Sequence, residues 1–227
     1  MFPKGQPMRR PVPIGVLISG SGTNLQSIID AIEAKQLEAK IQVVLSNRAD
    51  AYGLVRAKKH GIPVEVLDHK RFASREAFDQ AVVDILRARE VELVVLAGFM
   101  RLLSPVFVGA YSNRIMNIHP ALLPAFPGLH VQKKALEHGV RFSGCTVHFV
   151  NEECDEGPII IQAVVPVFPE DTEESLAARI LEQEHRIYPR AIQLYSESRL
   201  RIEGRKVFVD GLAKEENQVL VQPPLKR

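Results

Sequence analysis

The chain has 227 residues, of which 46% are hydrophobic, so it is long and apolar enough to bury a full core in one domain. Basic and acidic residues nearly balance at 29 and 27, and removing the three basic residues of the Pro-rich start changes the formal charge from +2 to −1. A body so close to neutral gives no compositional reason to expect a nucleic-acid partner.

The start of the chain and its cysteines indicate a soluble, cytoplasmic protein. Residues 1–13 contain four prolines and lack the continuous apolar segment of a signal peptide. No later stretch reaches the roughly twenty apolar residues that a membrane-spanning helix needs, so no membrane partner is predicted. Cys145 and Cys154 lack the close pairing of metal or redox motifs, which favours two reduced, structural thiols.

Strand-like and helix-like patterns alternate over the first half of the chain. Apolar, β-branched runs predict strands at residues 14–18, 41–45, 64–67, 93–97 and 115–118. Between them apolar residues recur at helical spacing; Ser74 and Pro105 mark helix starts, and Gly61 marks a helix end. The run 93–97 has no polar alternation, as expected for a central parallel strand covered on both faces.

The second half of the chain predicts a hairpin and a long helix. Residues 145–150 alternate in polarity, which predicts a half-buried strand that pairs, through an acidic turn, with a strand at 159–165. Asp171 or Thr172 begins the long helix, and Pro189 kinks or restarts it.

These elements predict the fold class and the domain limits. The fold is α/β: an open, Rossmann-like, mostly parallel sheet flanked by helices, with an antiparallel C-terminal extension. Residues 206–209 are predicted as an edge strand of this sheet. A single domain is expected at 14–210, with a disordered or tag-like tail at 1–13 and a C-terminal tail at 211–227.

A glycine-containing loop at residues 19–24 lies between the first strand and the first helix. Its glycines let backbone N–H groups approach a ligand at a helix N-terminus, where the helix dipole favours a phosphate. A dinucleotide fingerprint would need a glycine in place of Leu25 and an acid near Asn47 and Arg48, so a nicotinamide cofactor is disfavoured. The alternative is a tight turn that binds nothing.

Asn117 and His119 are two positions apart at the end of the fifth predicted strand, so both side chains leave the same face. Open α/β sheets bind ligands at the carboxyl ends of their strands. His119 is one of seven histidines, and a lone histidine is more often an interior residue than a catalyst. A carboxylate on the turn at 155–158 would favour the imidazolium form of His119 and fix its ring.

Glu184 lies on the apolar face of the long helix, where a carboxylate needs an explanation. Two explanations stay open from the pattern alone. One is a buried acid paired with an arginine or lysine, and the other is a ligand contact at the end of the sheet.

Several segments together resemble the phosphoribosylglycinamide formyltransferases, a folate-dependent family of purine synthesis. The similarity extends from Ile14 to about Tyr195. The matching segments are residues 19–25, 96–101, 117–124, 127–130, 147–150, 155 with 157–158, 183–185 and 188–189. Ala125 and Glu156 depart from the family pattern, where lysine and glycine respectively are common.

The resemblance implies a set of site residues. The catalytic trio falls on Asn117, His119 and Asp155, and His148 matches a supporting position. Glycinamide ribonucleotide (GAR) is expected on Gly22, Thr23, Asn24, Leu181, Glu182, Gln183 and Glu184, with the loop on its phosphate and Glu184 on its ribose. The folate pocket is expected to be lined by Arg75, Met100, Arg101, Leu102, Leu103, Asn117, Asn151, Glu152, Glu153, Cys154 and Asp155.

The resemblance also implies a reaction: direct formyl transfer from the co-substrate 10-formyltetrahydrofolate to the amine of GAR, with no metal. A methionyl-tRNA formyltransferase is expected to carry a further C-terminal domain, and a formyltetrahydrofolate deformylase a preceding regulatory domain. The alternatives kept open are a formyltetrahydrofolate hydrolase and a non-catalytic module that binds a nucleotide phosphate. A monomer or weak homodimer is expected.

Overall fold

The computed structural model describes residues 10–211 together with Leu220 and Gln222. The strands are β1 Val12–Ile18, β2 Ala39–Ser46, β3 Val64–Val66, β4 Leu93–Leu96, β5 Ile115–His119, β6 Phe142–Phe149, β7 Ile159–Pro166, β8 Leu200–Glu203 and β9 Lys206–Val209. The helices are α1 Thr23–Glu33, α2 Tyr52–Lys59, α3 Arg75–Ala88, α4 Pro105–Ala110, α5 Val131–Glu137 and α6 Glu173–Ser196, with a 3-10 turn at His69–Arg71.

One nine-stranded sheet runs through the molecule in the order β3-β2-β1-β4-β5-β6-β7-β9-β8. The first five strands of that order are parallel, and β6 and β7 add antiparallel pairs, so the predicted fold class is confirmed. All seven residues of β1 are buried because helices cover both faces. Alternate residues of β1 enter two separate cores: Val16 and Ile18 pack in one, and Leu17 in the other.

The first strand begins two residues before the predicted start of the domain at residue 14. The first strand begins at Val12, so Val12 and Pro13 pair with β2 instead of belonging to a tail. Residues 1–9 of the predicted N-terminal tail lie outside the described residues. Arg10 and Pro11 lie within them and precede the strand. The predicted C-terminal tail at 211–227 also lies outside them, except for Gly211, Leu220 and Gln222.

The C-terminal edge of the sheet differs from the prediction. The run at 206–209 does form a strand, β9, but it pairs with β7 on one side and with β8 on the other. The edge strand is β8, which the sequence pattern missed. Both strands have only four residues and alternate between exposed and half-buried positions, so neither carries a strong apolar signal.

Helix starts were predicted better than helix interiors. Ser74 caps α3 through a hydrogen bond from Ala77 N, and Thr172, not Asp171, caps α6 by accepting from Ser175 N. The predicted restart at Pro189 is wrong, because α6 continues through it to Ser196. Apolar residues on both sides of the proline pack against the sheet, and this packing holds the helix together despite the missing backbone donor.

Strand β6 was predicted to be half-buried, and this is wrong: seven of its eight residues are buried. The two polar residues on its alternate face, Thr146 and His148, are covered by the chain that follows β5 and by Asn117. No helix among the described residues combines the length and apolar character needed to cross a bilayer.

Candidate active site

Strand β5 carries Asn117 and His119, and its neighbour β6 lines the face from which they project. In the register of the antiparallel pair β5 and β6, Asn117 faces His148 and His119 faces Thr146. Both β5 residues lie at the carboxyl end of the parallel part of the sheet, which is where open α/β sheets bind ligands. The predicted common face is therefore the one that β6 lines with polar side chains.

His119 is buried, with 5% of its surface exposed, and both ring nitrogens have neighbours. Its Nε2 donates a hydrogen bond to the carbonyl oxygen of Phe126 at 2.9 Å, so Nε2 carries a hydrogen, because a carbonyl can only accept. Its Nδ1 lies 3.5 Å from Oδ2 of Asp155. The ring is thus held between the loop after β5 and the acidic turn after β6.

Asp155 is placed by an unusual stretch of backbone. Its φ angle of 57° is left-handed, and its Oδ2 accepts a hydrogen bond from Gly128 N at 2.9 Å. Two residues later, a Cβ on Gly157 would lie 1.7 Å from the carbonyl oxygen of Phe149, so only glycine lets the turn pass this close to β6. The turn brings the third member of the expected trio to His119.

His148 lies between Asn117 and Asp155 and was given only a supporting place by sequence reasoning. Its Nδ1 donates to Phe149 O at 2.8 Å, which leaves Nε2 to accept from Asn117 Nδ2 at 3.2 Å. Nε2 is also 3.9 Å from Asp155 Oδ1. Burial lowers the pKa of His148, consistent with this neutral ring. The sequence signal for His148 was its place in a run in which polar and apolar residues alternate.

The loop after β5 is tied to β6 and β7 by two polar side chains. Thr146 Oγ1 donates to Ala121 O at 2.7 Å and accepts from Leu123 N at 3.1 Å. Gln162 Nε2 donates to Leu123 O at 2.9 Å. These bonds fix the chain that leads to Phe126, and so they help to fix the acceptor of the His119 ring.

The glycine loop and Glu184 meet at a second part of the site. Gly22 precedes α1 with a φ angle of 70°, and Asn24 Nδ2 donates to Glu184 Oε2 at 2.7 Å. The arginine or lysine partner that one prediction gave Glu184 is therefore wrong, since the partner is an amide. Burial raises the pKa of Glu184, and the Asn24 hydrogen bond opposes that rise. Asn24 Oδ1 is buried and has no partner among the described residues.

The other residues expected for GAR lie beside this pair. Thr23 is the first residue of α1. On α6, Leu181 and Gln183 are half-buried and Glu182 is exposed. Gln183 Oε1 accepts from Arg186, so its amide is oriented along the helix.

The residues expected to line the folate pocket fall into two loops and one helix start. In the loop after β4, Met100 and Leu102 are exposed, Leu103 packs against the second core, and Arg101 stacks 4.8 Å from the centroid of the Phe78 ring. In the turn after β6, Asn151 and Asp155 are half-buried, while the other three members are exposed: Glu152, Glu153 and Cys154.

Arg75 is the member of the folate set that lies on a helix. It begins α3 and pairs with Glu76 at 3.6 Å, and among the described residues no hydrogen bond or ion pair joins it to either loop. The prediction of two structural thiols holds in part: both cysteines are free, but Cys154 is exposed and its Sγ lies 3.6 Å from Asp155 Oδ2.

One loop of the folate set is connected directly to the glycine loop. Ser19 Oγ accepts from Met100 N at 2.9 Å and donates to Asn47 Oδ1 at 2.6 Å. The ends of β1, β2 and β4 are thereby joined through one hydroxyl group. Asn47, which counted against a dinucleotide site in the sequence, has a structural role here.

Tyr188 is a residue of the site region whose role sequence reasoning did not identify. Its side chain is fully buried, and its hydroxyl lies 2.9 Å from Met116 O and 3.0 Å from Leu96 O. Met116 immediately precedes Asn117, and Leu96 ends the strand that leads into the folate loop. The hydroxyl therefore connects α6 to the carboxyl ends of both strands.

The chain is similar in sequence to known formyl transferases. Residues 12–192 match the family model described as formyl transferase. The chain is 50% identical to phosphoribosylglycinamide formyltransferase of Haemophilus influenzae, with 88% of this chain and 94% of that protein covered. The Escherichia coli enzyme of the same name is 48% identical, with 87% and 93% covered.

Solved structures give the same assignment. Glycinamide ribonucleotide transformylase 1 from Symbiobacterium toebii superimposes with a TM-score of 0.88 at 53% identity, covering 91% of this chain and 99% of that one. The resemblance inferred from the motifs is thereby confirmed. The chain belongs to the formyl transferase family, among its phosphoribosylglycinamide formyltransferases.

Proposed function

We propose that the protein transfers the formyl group of 10-formyltetrahydrofolate to the primary amine of GAR, giving N-formyl-GAR and tetrahydrofolate in de novo purine biosynthesis. The observation that carries the proposal is the convergence of Asn117, His119 and Asp155 at one end of the sheet. It is supported by relatives of about half-identical sequence that span nearly the whole length of this chain.

The chemistry we assign is a direct attack. The amine nitrogen of GAR forms a bond to the formyl carbon, the formyl oxygen becomes a tetrahedral oxyanion, and the bond to the folate nitrogen then breaks. The amine loses one proton and the departing folate nitrogen gains one, so no covalent enzyme intermediate is needed. The protein's task is to stabilise the oxyanion and to move that proton.

Asn117 is suited to the oxyanion because the described residues engage only one of its two amide hydrogens. One N–H points to His148 Nε2, and the neutral ring of His148 holds the amide in this orientation. The second N–H is available as a donor. We assign that donor to the developing negative charge on the formyl oxygen.

His119 supplies the second donor in this proposal. Nε2 donates to Phe126 O in the structure, so the histidine must exchange this carbonyl for the substrate's oxygen to act on it. Oδ2 of Asp155 lies 3.5 Å from Nδ1 and borders the other side of the ring. The carboxylate can hold the water through which the proton passes, and this role fits a side chain that borders the site.

The two substrates take opposite sides of this centre. We place the phosphate of GAR on the glycine loop and its ribose at Glu184, whose carboxylate already accepts one hydrogen bond from Asn24. We place the folate against the loops at residues 100–103 and 151–155, which border Asp155 and the strand end of β4. We assign no metal to the reaction.

The proposal extends to the setting of the enzyme. Free thiols at Cys145 and Cys154 fit a reducing compartment, and we place the reaction in the cytoplasm. We propose a monomer or weak homodimer with small-molecule partners only. Sedimentation velocity over a range of protein concentrations tests the oligomeric state, and a stable dimer at the lowest concentration would contradict it.

An absorbance assay for loss of 10-formyltetrahydrofolate tests the reaction itself. Loss that depends on GAR, with formation of N-formyl-GAR in equal amount, is the expected result. Loss without GAR would make the protein a formyltetrahydrofolate hydrolase. No loss under either condition, with GAR still bound, would make it a non-catalytic module that binds a nucleotide phosphate.

A further inference from the structure

The residues expected to hold GAR leave its phosphate without a positive side chain. The set contributes the carboxylates of Glu182 and Glu184 and the amide of Asn24, which donates to Glu184. A phosphate group carries up to two negative charges at neutral pH, so a site whose only charged members are carboxylates lacks the cation that would compensate it. The backbone N–H groups at the start of α1 supply only part of that compensation.

Arg56 on α2 is a cation that touches the glycine loop. Its Nε donates to Ser21 O at 2.9 Å, and its Cδ would lie 3.6 Å from a Cβ built on Gly22. The guanidinium carbon stacks 5.0 Å from the centroid of the Tyr52 ring. The aliphatic stem and Nε are therefore fixed against the loop, while the charged end is positioned beside it.

The packing of α2 explains why Arg56 comes so close. Gly53 N donates to Gly20 O at 3.1 Å, so the first turn of α2 is bonded to the loop. A Cβ on Gly22 would lie 2.6 Å from Gly53 Cα, and a Cβ on Gly53 would lie 2.5 Å from the Ile18 side chain. Two glycines facing each other allow this approach, and Arg56 is one turn further along the helix.

The charge of Arg56 is not neutralised within the part of the chain that the structure describes. None of the ion pairs among those residues includes Arg56, and its Nη1 has only a weak contact with the neutral side chain of Gln26 at 3.4 Å. Arg48, at the neighbouring strand end, is in contrast engaged by Asp50 through two hydrogen bonds. Arg56 thus keeps hydrogen-bond donors and a charge for a ligand.

We propose that Arg56 is a substrate-binding residue that contacts the phosphate of GAR together with the glycine loop. The inference rests on the proposed function and deepens it by assigning the charge that the site requires. The planar guanidinium suits two phosphate oxygens at once, and its Nε bond to Ser21 O holds it in place before the substrate arrives.

The test compares two substrates in three variants. The substrates are GAR and the corresponding riboside without the phosphate; the variants are Arg56→Gln, Arg56→Lys and, as a control of equal charge change on the exposed end of the same helix, Lys59→Gln. In Arg56→Gln, the KM and calorimetric Kd for GAR are expected to rise about ten- to a hundredfold, with those for the riboside changed little. Arg56→Lys should keep part of the preference for GAR, and Lys59→Gln all of it.

Several outcomes overturn the assignment. Equal weakening of GAR and riboside in Arg56→Gln would show that the residue only holds the loop, and unchanged GAR binding would show that it has no role. Circular dichroism checks that each variant is folded. Because calorimetry with GAR alone needs no turnover, a wild-type protein that binds GAR but does not formylate it would refute the proposed reaction while the test of Arg56 still stands.

Discussion

His119 Nδ1 and Asp155 Oδ2 approach to 3.5 Å from chain segments 36 positions apart, and both side chains are largely withdrawn from solvent. The ring is also fixed at Nε2 by Phe126 O, and the carboxylate accepts a hydrogen bond from Gly128 N. Each partner therefore has a second anchor in the same loop. The two groups are held in position before any substrate binds, which is the condition for electrostatic stabilisation of a transition state.

Removing either assigned oxyanion donor should slow turnover with the fold intact. We expect His119→Ala and Asn117→Ala each to lower kcat about a hundredfold or more, the size found for one oxyanion donor. Steady-state kinetics with both substrates measures this. His60→Ala, at a partly exposed histidine paired with Glu33, is the matched control and should retain normal kcat. Near-normal turnover in His119→Ala would refute its assignment.

The charge of Asp155 can be tested without removing its hydrogen bond. Asn at this position can still accept from Gly128 N, so Asp155→Asn should keep the turn in place and remove the negative charge beside His119. We expect kcat to fall about a hundredfold, with an unchanged circular dichroism spectrum. Asp50→Asn, at an exposed carboxylate, is the control. A kcat that stays close to the wild-type value would contradict the role of the charge.

The Tyr188 hydroxyl should matter for both stability and turnover. Tyr188→Phe leaves the carbonyls of Met116 and Leu96 without this donor, and we expect a loss of about 1–3 kcal/mol in the free energy of unfolding. Because Met116 precedes Asn117, kcat should fall while the KM for GAR changes little. Urea unfolding and steady-state kinetics measure the two effects.

Tyr111→Phe is the matched control for Tyr188. The Tyr111 hydroxyl is also buried, but it has no hydrogen-bond partner among the described residues, so its removal should cost little. Equal effects of the two substitutions on unfolding and on kcat would show that the contact of Tyr188 with the strand ends is unimportant.

Gly157 should not accept a side chain. In Gly157→Ala the new Cβ meets Phe149 O, and the turn that carries Asp155 must move away from β6. We expect a loss of about 1–3 kcal/mol in the free energy of unfolding and a strong decrease in kcat. Gly109→Ala in α4, where no atom lies within 4 Å of the added Cβ, should be neutral or slightly stabilising. A fully active Gly157→Ala enzyme would contradict the described turn.

His148 should make stability depend on pH. Burial lowers its pKa below the ordinary value of 6.5, so below that value the unfolded chain binds more protons at this residue than the folded chain does. The contribution of His148 is therefore constant above pH 6.5 and is lost as the pH falls towards the folded pKa.

The difference between wild type and His148→Gln isolates this contribution, since other titrating groups, such as Glu184, are common to both proteins. We expect the free energy of unfolding of the wild type, measured in urea between pH 5 and 8, to fall more steeply below pH 6.5 than that of the variant. His60→Gln should follow the wild type. Parallel curves for wild type and His148→Gln would refute the assigned neutral ring.

Local chemistry in the sequence was sufficient to predict the parallel strands and the caps. The run 93–97 is apolar throughout because helices cover both faces of β4, and Ser74 and Thr172 cap helices through hydrogen bonds that span only three residues. Such features depend on near neighbours. A pattern of residue types therefore contains most of the information that determines them.

Features that depend on distant partners were predicted less well. The alternation in β6 looked half-buried because the groups that cover Thr146 and His148 come from the preceding strand and its loop. The unusual position of Glu184 was visible, but its partner Asn24 is 160 residues away. The family resemblance supplied the trio. The residue type did not indicate the left-handed backbone at Asp155, since glycine is the usual residue in that conformation.

The hydrogen bond between Asn24 and Glu184 joins the first helix to the last long one, so it can form only after α6 has been synthesised. A nascent chain that has emerged as far as β7 already contains Asn117, His119, His148 and Asp155, but it lacks the acid on α6. In chain order, the residues assigned to the formyl donor are therefore synthesised before the acid that receives the ribonucleotide. We expect GAR to bind only after α6 has docked against the rest of the domain. Bound GAR should then stabilise this docked state.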